Sequence, residues 1–260
     1  MACMNKTVVP ATGVRIETNL AVIVLAAGLG KRMKSDLAKV LHKICDKPMI
    51  DYVLDTLSFF LSARIVVVVG HQAEEVTKLL KDRKVTVVFQ RELLGTGHAI
   101  TQTEEVLSGF EGDILIVCGD TPLLKRNTLE GLIQTHQQSE ATITILTVTL
   151  DDPAGYGRVV IDSEGRVCKI IEDKDAGQKE KAIKLVNTGT YCFKGKKLFA
   201  ALKKVSNNNK QKEFYLTDVV EILKEEGEKI VALEALDSIE VMGINTQEDL
   251  RKVEEIINNY

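Results

Sequence analysis

Apolar runs alternate with amphipathic stretches through the first half of the chain. Residues 21–24, 65–69, 85–89 and 114–118 are apolar at nearly every position. Strands of that kind have no solvent face, so they predict a parallel sheet covered on both sides. Between them, Ile50, Val53, Leu54 and Leu57 recur at helical spacing after Asp46-Lys47-Pro48, with Pro48 expected in the first turn. Ala73, Val76, Leu79 and Leu80 repeat that pattern after Gly70. The second half changes character. Residues 143–150 alternate, and residues 159–161 and 167–171 read as a hairpin around Asp162-Ser163-Glu164-Gly165. Thr246-Gln247-Glu248-Asp249 has the form of a capping box, ahead of the stripe Leu250, Val253, Ile256 and Ile257. The expected fold is α/β: a mostly parallel central sheet with helices on both faces, plus a small, partly antiparallel lobe that shapes one wall of a cleft. One domain is expected over residues 21–260, with residues 1–20 a loose extension.

The first strand runs into Leu25-Ala26-Ala27-Gly28-Leu29-Gly30-Lys31-Arg32-Met33. Small residues let backbone approach a polyphosphate closely, and the N–H groups and two cations then face negative charge. The loop is neither of the two commonest phosphate loops. Met33 stands where a dinucleotide fingerprint needs its third glycine, and a Walker-type loop needs a different spacing and a Lys-Ser/Thr ending. A nicotinamide-dependent oxidoreductase and a P-loop ATPase are therefore disfavoured. A plain glycine-rich strand-to-helix turn is the alternative.

Composition narrows the field further. At 260 residues and net charge −3, nothing marks a nucleic-acid-coating surface. The five cysteines are scattered without a C-x-x-C pair, and the four histidines form no H-E-x-x-H. That argues against a disulfide framework or structural zinc and points to a cytoplasmic setting. No apolar run approaches the ~20 residues that span a bilayer.

In open parallel sheets, ligands sit beyond the carboxyl ends of the strands. Gly119-Asp120 falls there, and a carboxylate beside a phosphate loop is suited to hold magnesium. Alternatively, Asp120 merely starts the turn before Pro122. Gln90 ends a strand and is followed by the Gly95-Thr96-Gly97 turn; amide and turn backbone suit the edge of a base, or form an ordinary turn. Lys39 by itself reads as an exposed lysine, and Asn245 as the residue before a helix cap.

Taken together, these segments resemble the sugar-1-phosphate nucleotidyltransferases, and most closely the uridylyltransferase domain of the bifunctional bacterial enzymes that make UDP-N-acetylglucosamine. The resemblance runs from about Ala21 to the end. It rests on Leu25-Ala26-Ala27-Gly28 with Arg32-Met33, Ser35-Asp36-Leu37 with Lys39-Val40-Leu41-His42, Gln90 with Leu94-Gly95-Thr96-Gly97-His98-Ala99, and Gly119-Asp120-Thr121-Pro122-Leu123. It continues through Gly155-Tyr156-Gly157-Arg158, Glu172 with Lys174-Asp175-Ala176, Asn187-Thr188-Gly189, Glu213-Phe214-Tyr215-Leu216-Thr217-Asp218 and Gly243-Ile244-Asn245. It implies a Rossmann-like nucleotidyltransferase fold and transfer of UMP from UTP to N-acetylglucosamine-1-phosphate, with Mg2+ as cofactor. It implies that Leu25, Ala26, Ala27 and Gly28 hold the nucleotide, and that Gln90, Gly95 and Thr96 read uracil. Arg32 and Lys39 would meet the triphosphate. Gly157, Glu172, Asn187 and Asn245 would line the sugar site, and Asp120 and Asn245 would ligate magnesium. Arg32, Lys39 and Asp120 are the implied catalytic set.

The chain departs from that pattern in places. Lys31 stands where the family usually has Thr, Ala38 where it has Pro, Cys118 where an aromatic is common, and Thr246-Gln247 where Asn-Arg is frequent. Hexapeptide repeats are absent from the sequence, so no C-terminal β-helix is expected. Acetyltransferase activity, acetyl-CoA binding and a trimer do not carry over, and a monomer is the default expectation. The alternatives are another sugar-1-phosphate or nucleotide, or a nucleotide-sugar sensor without catalysis. No nucleic-acid or membrane partner is expected.

Overall fold

The structure is a computed structural model, and it describes residues 19–259. Of the expected loose extension over residues 1–20, residues 1–18 lie outside the described residues, whereas Leu20 is buried and opens β1 and the Asn19 carbonyl accepts from Asp113 N. In chain order the elements are β1 (Leu20–Ala26), β2 (Lys43–Ile44), β3 (Lys47–Pro48), α1 (Met49–Leu57), β4 (Arg64–Val69), α2 (Ala73–Leu80), β5 (Thr86–Phe89), α3 (Thr96–Thr101) and β6 (Asp113–Cys118). There follow α4 (Arg126–Gln138), β7 (Ile143–Thr149), β8 (Arg158–Ile161), β9 (Val167–Ile171), α5 (Gln178–Lys181) and β10 (Leu185–Lys194). The chain closes with α6 (Gly195–Leu202), α7 (Asp218–Glu225), β11 (Ile230–Glu234) and α8 (Gln247–Asn258).

The sheet runs β11-β7-β10-β6-β1-β4-β5. β1 pairs in parallel with both β4 and β6, β5 is parallel to β4, and β11 to β7. Only β10 runs against the others on this path, pairing antiparallel with β6 and β7. The expected antiparallel hairpin forms as β8 and β9, and Val186 opposite Arg158 joins it to β10. The antiparallel portion is thus continuous with the main sheet. The order of strands switches sides at β1: β4 and β5 lie on one side and β6 on the other. A crevice opens at such a switch point, at the carboxyl ends of β1 and β6.

Strand alternation feeds two cores. Leu20, Val22 and Val24 of β1 pack with Ile50, Val53 and Val76 under α1 and α2. Ala21 and Ile23 pack with Ile100, Leu198 and Val219 under α3, α6 and α7 on the other face. β5 differs from expectation: it is the sheet edge, and Phe89 is half exposed. A third cluster joins Met33, Ile44 and Met49 to Ile244, Leu250 and Val253. Met33, the residue that spoils a dinucleotide fingerprint, thereby ties the glycine loop to α8. α1 starts one residue later than expected. Cys45 and Asp46 take positive φ (47° and 67°) to turn the β2–β3 hairpin, so Pro48 ends β3 and precedes the helix.

Candidate active site

A cleft of about 640 Å³ lies at the switch point, lined by Leu25, Ala26, Ala27, Gly28, Leu29, Gly30, Lys31 and Arg32 along its floor. A side chain at Gly28 would meet nothing within 4 Å, because the space beside it is the cleft itself. Gly30, at φ +60°, lets the loop fold against Lys39, whose Cβ would lie 2.9 Å from any Cβ added there. The N–H groups of Gly28, Leu29 and Gly30 donate to no other group among the described residues, so they are free to meet an anion.

At one end of the cleft three distant residues meet. Lys39 stands on a single 3-10 turn after the glycine loop. Asp120 follows β6, where the Gly119 N–H bonds Leu25 O at 2.9 Å. Asn245 is delivered by a second strut: the Ile244 N–H donates to Asp120 O at 2.9 Å. The capping box of α8 completes the placement. Asp249 Oδ2 accepts from the N–H groups of Asn245 (3.0 Å) and Thr246 (2.9 Å), while Thr246 Oγ1 accepts from Asp249 N at 3.1 Å. The Lys39 ammonium bonds Asp120 Oδ2 and lies 3.0 Å from Asn245 Oδ1. A carboxylate and an amide carbonyl thus converge on one positively charged point. That donor set fits magnesium, which takes hard oxygens and keeps places for phosphate and water. Arg32 is exposed on the rim near Gly155 and makes no ion pair among the described residues.

The opposite end is neutral. Gln90 leaves β5 with its N–H bonded to Val69 O at 2.7 Å, and its side chain is buried against α3. Its Nε2 donates to Gly95 O at 3.0 Å and approaches His98 Nδ1 at 3.1 Å. Gly95 takes φ +107°, and any Cβ there would sit 2.7 Å from Phe214 O. The close approach is needed because residues 213–216 pair with this loop. Phe214 N donates to Leu94 O (2.7 Å), Gly97 N to Phe214 O (2.8 Å), and Leu216 N to Thr96 Oγ1 (3.0 Å).

The third wall carries Glu172, Asp173, Lys174, Gln211 and Glu213. Burial raises the Glu172 carboxyl, with Asp218, Asp175 and Glu213 adding to the rise, although a 2.9 Å bond from the Thr217 hydroxyl opposes it. Asp218 is pushed up to about 6 by burial and by Glu221 and Asp175. Asp173 is paired with the buried Arg158 at 3.0 Å, which fixes this wall to β8. Of the expected sugar-site residues, Glu172 and Asn245 line the cleft, and Gly157 and Asn187 do not. Gly157 is buried behind the wall, where its carbonyl accepts from Asn187 N at 2.9 Å. Asn187 Oδ1 is taken by Gly189 N at 3.1 Å, at the bulge of β10. Cys118 also lines the cleft, but burial pushes its thiol up to about 12, so it supplies no thiolate. Leu93, Asp173 and Gln211 are lining residues that the sequence reading misses; none has a motif of its own.

Residues 21–243 match the model of a family described as nucleotidyl transferase. The chain belongs to the nucleotidyl transferase family. Bifunctional protein GlmU of Bacillus cereus (strain G9842) is 48% identical over 242 residues, which is 93% of this chain and 52% of that protein. GlmU of Bacillus mycoides (strain KBAB4) matches at the same identity and coverage. The chain therefore spans about half the length of the curated relatives it matches. Among solved structures, a UDP-glucose pyrophosphorylase complexed with UDP-glucose superposes with a TM-score of 0.73 at 18% identity, covering 92% of this chain and 98% of that one. That likeness speaks to the nucleotidyl transferase fold, which matches the mostly parallel sheet expected from the apolar runs. No helix among the described residues is long and apolar enough to cross a membrane.

Proposed function

We propose that this nucleotidyl transferase moves UMP from UTP to N-acetylglucosamine-1-phosphate, forming UDP-N-acetylglucosamine and releasing pyrophosphate. The observation that carries the reading is the meeting of Lys39, Asp120 and Asn245 at one point, across the glycine loop from a neutral end built on Gln90, Gly95 and Thr96. The cleft has one end suited to polyphosphate and one suited to a base. The 48% identity to GlmU supports the choice of nucleotide and sugar.

In the proposed reaction, a sugar-phosphate oxygen attacks the α-phosphorus of UTP, and the bond to the pyrophosphate oxygen breaks with its electron pair. The attacking phosphate is already ionised, so no side chain has to remove a proton. The chain's residues act by position and charge. The free N–H groups of Gly28, Leu29 and Gly30 receive phosphate oxygens, while Arg32 and Lys39 neutralise the triphosphate. Gln90, Gly95 and Thr96 hold the base, and Glu172 accepts sugar hydroxyls. Gly157 and Asn187 act from behind the wall, shaping it rather than lining the cleft. Asp120 and Asn245 would hold magnesium, which when bound supplies Lewis-acid neutralisation of phosphate charge. Cytoplasmic residence and a monomeric state belong to the same proposal.

The test is pyrophosphate release with Mg2+ across a panel of sugar-1-phosphates and nucleoside triphosphates. The expected result is highest kcat/KM for UTP with N-acetylglucosamine-1-phosphate. Higher kcat/KM for another pair reassigns the substrates. Tight UDP-sugar binding without pyrophosphate exchange in any pair would make the protein a sensor.

A further inference from the structure

We infer that His98 is a positioning residue for base specificity: its Nδ1 accepts a hydrogen bond from the Gln90 amide and so fixes which face of that amide meets the nucleotide. The inference deepens the reading above, and rests on Gln90 being the base reader.

The argument starts from proton accounting. Gln90 Nε2 stands 3.0 Å from Gly95 O and 3.1 Å from His98 Nδ1. A carbonyl oxygen can only accept, so the nitrogen of the Gln90 amide must face Gly95. Its second hydrogen then points at His98 Nδ1, which must be the unprotonated nitrogen of the ring. A neutral imidazole carries one N–H, so that proton sits on Nε2. On the far side of the ring, Nε2 lies 3.2 Å from Gln102 Nε2, just past the end of α3, but that amide donates to His98 O (3.1 Å) and Thr101 Oγ1 (3.3 Å), so its nitrogen does not accept the ring proton. With both Gln90 hydrogens committed, its Oε1 takes no hydrogen bond among the described residues, and Gln90 lines the cleft.

An outward amide oxygen accepts from the N3–H of uracil. Cytosine has a lone pair at N3, so the same oxygen faces another acceptor and the base is rejected. A Gln90 free to turn would offer its NH2 group to cytosine instead. Gly95 O alone restrains the amide in part, so removal of His98 erodes discrimination rather than abolishing it. Sites that depend on a placed hydrogen-bonding group discriminate strongly between analogues. Thymine carries the same N3–H and carbonyls as uracil, so its ranking should be untouched by His98.

The experiment measures kcat/KM for UTP, CTP and TTP with saturating sugar-1-phosphate in the wild type and in His98→Ala, His98→Asn and His98→Gln. Asn places an acceptor near the Nδ1 position, whereas Gln reaches toward Nε2. The expected result is a fall of about tenfold in the UTP/CTP ratio for His98→Ala and His98→Gln. The loss should appear mainly as a higher KM for UTP, with the UTP/TTP ratio unchanged and the UTP/CTP ratio restored in His98→Asn. If His98→Ala does not fold, the Asn-against-Gln contrast carries the same decision. A wild-type enzyme that prefers UTP, with that preference intact in His98→Ala and His98→Gln, overturns the inference and leaves the proposed function standing. Equal loss in folded His98→Asn and His98→Gln overturns it too. A wild type without preference for UTP over CTP overturns the reading of Gln90 itself, and the inference with it.

Discussion

The two ends of the cleft are built in opposite ways. The base end is mostly local: Gln90, Gly95, Thr96 and His98 come from one strand–turn–helix passage, and the Gln90 amide is oriented by neutral hydrogen bonds within it. The phosphate end is assembled from three remote segments, with Lys39 and Asn245 separated by 206 positions. The Gln90 amide finds its partners, Gly95 O and His98 Nδ1, within that one passage, while residues 214–216 brace the turn from outside. Bringing a carboxylate, an amide and an ammonium together away from water requires the whole sheet, since each must be held from behind before their charges can pair. Asp120 and Lys39 are only 20% and 14% exposed.

The largest effect should come from removing charge at the assembled end. Asp120→Asn keeps the shape, and the backbone bond from Ile244 N to Asp120 O does not depend on the side chain. Turnover should fall by about a hundred- to a thousandfold, the scale on which preorganised charge acts. The melting temperature and the UTP/CTP ratio should stay near the wild type, because the base end shares none of these groups. Wild-type turnover in Asp120→Asn would remove that residue from the metal site.

Next in size is a break at the local end. Gly95→Ala places a side chain at φ +107° and a Cβ 2.7 Å from the Phe214 carbonyl. Backbone strain and the clash together should cost about 3 kcal/mol, read by urea unfolding. Nucleotide affinity should drop as well, since Gly95 O restrains Gln90. An Ala variant as stable as the wild type would mean that residues 213–216 can move off this loop freely.

That contrast also governs how much was legible in the sequence. The buried strands β1, β4 and β6 announced themselves, because a strand covered on both faces must be apolar throughout. So did the capping box before α8 and the β8–β9 hairpin. The long polar helix α4 did not. Its buried residues Leu129, Leu132 and Ile133 lie among Arg, Asn, Thr, Glu and Gln, and the stripe is thin. Nor did β10, whose reversed direction follows from a crossover that no local pattern encodes. At the site, Gln90 and the Gly95-Thr96-Gly97 turn were readable as a unit. Asn245 read as a pre-cap residue, and it is one: the same capping box that ends its local meaning also aims its side chain at Lys39. Gly157 and Asn187 came only through resemblance, and both sit behind the wall rather than on it.

The smallest expected effect separates the two ends most sharply. Thr246→Ala removes the oxygen that accepts from Asp249 N, while Asp249 Oδ2 can still hold the N–H groups of Asn245 and Thr246. Loss of such a cap costs about 1 kcal/mol, which for a domain of this size is a melting shift of about 2–4 °C. Leu250 and Val253 keep α8 on Met33 and Ile44, so the helix stays docked and Asn245 only loosens. Activity should fall less than tenfold, as a higher apparent KM for the magnesium–nucleotide complex with kcat nearly unchanged. The UTP/CTP ratio should not move at all. A Thr246→Ala enzyme that lost base discrimination would show that the neutral end depends on the charged one.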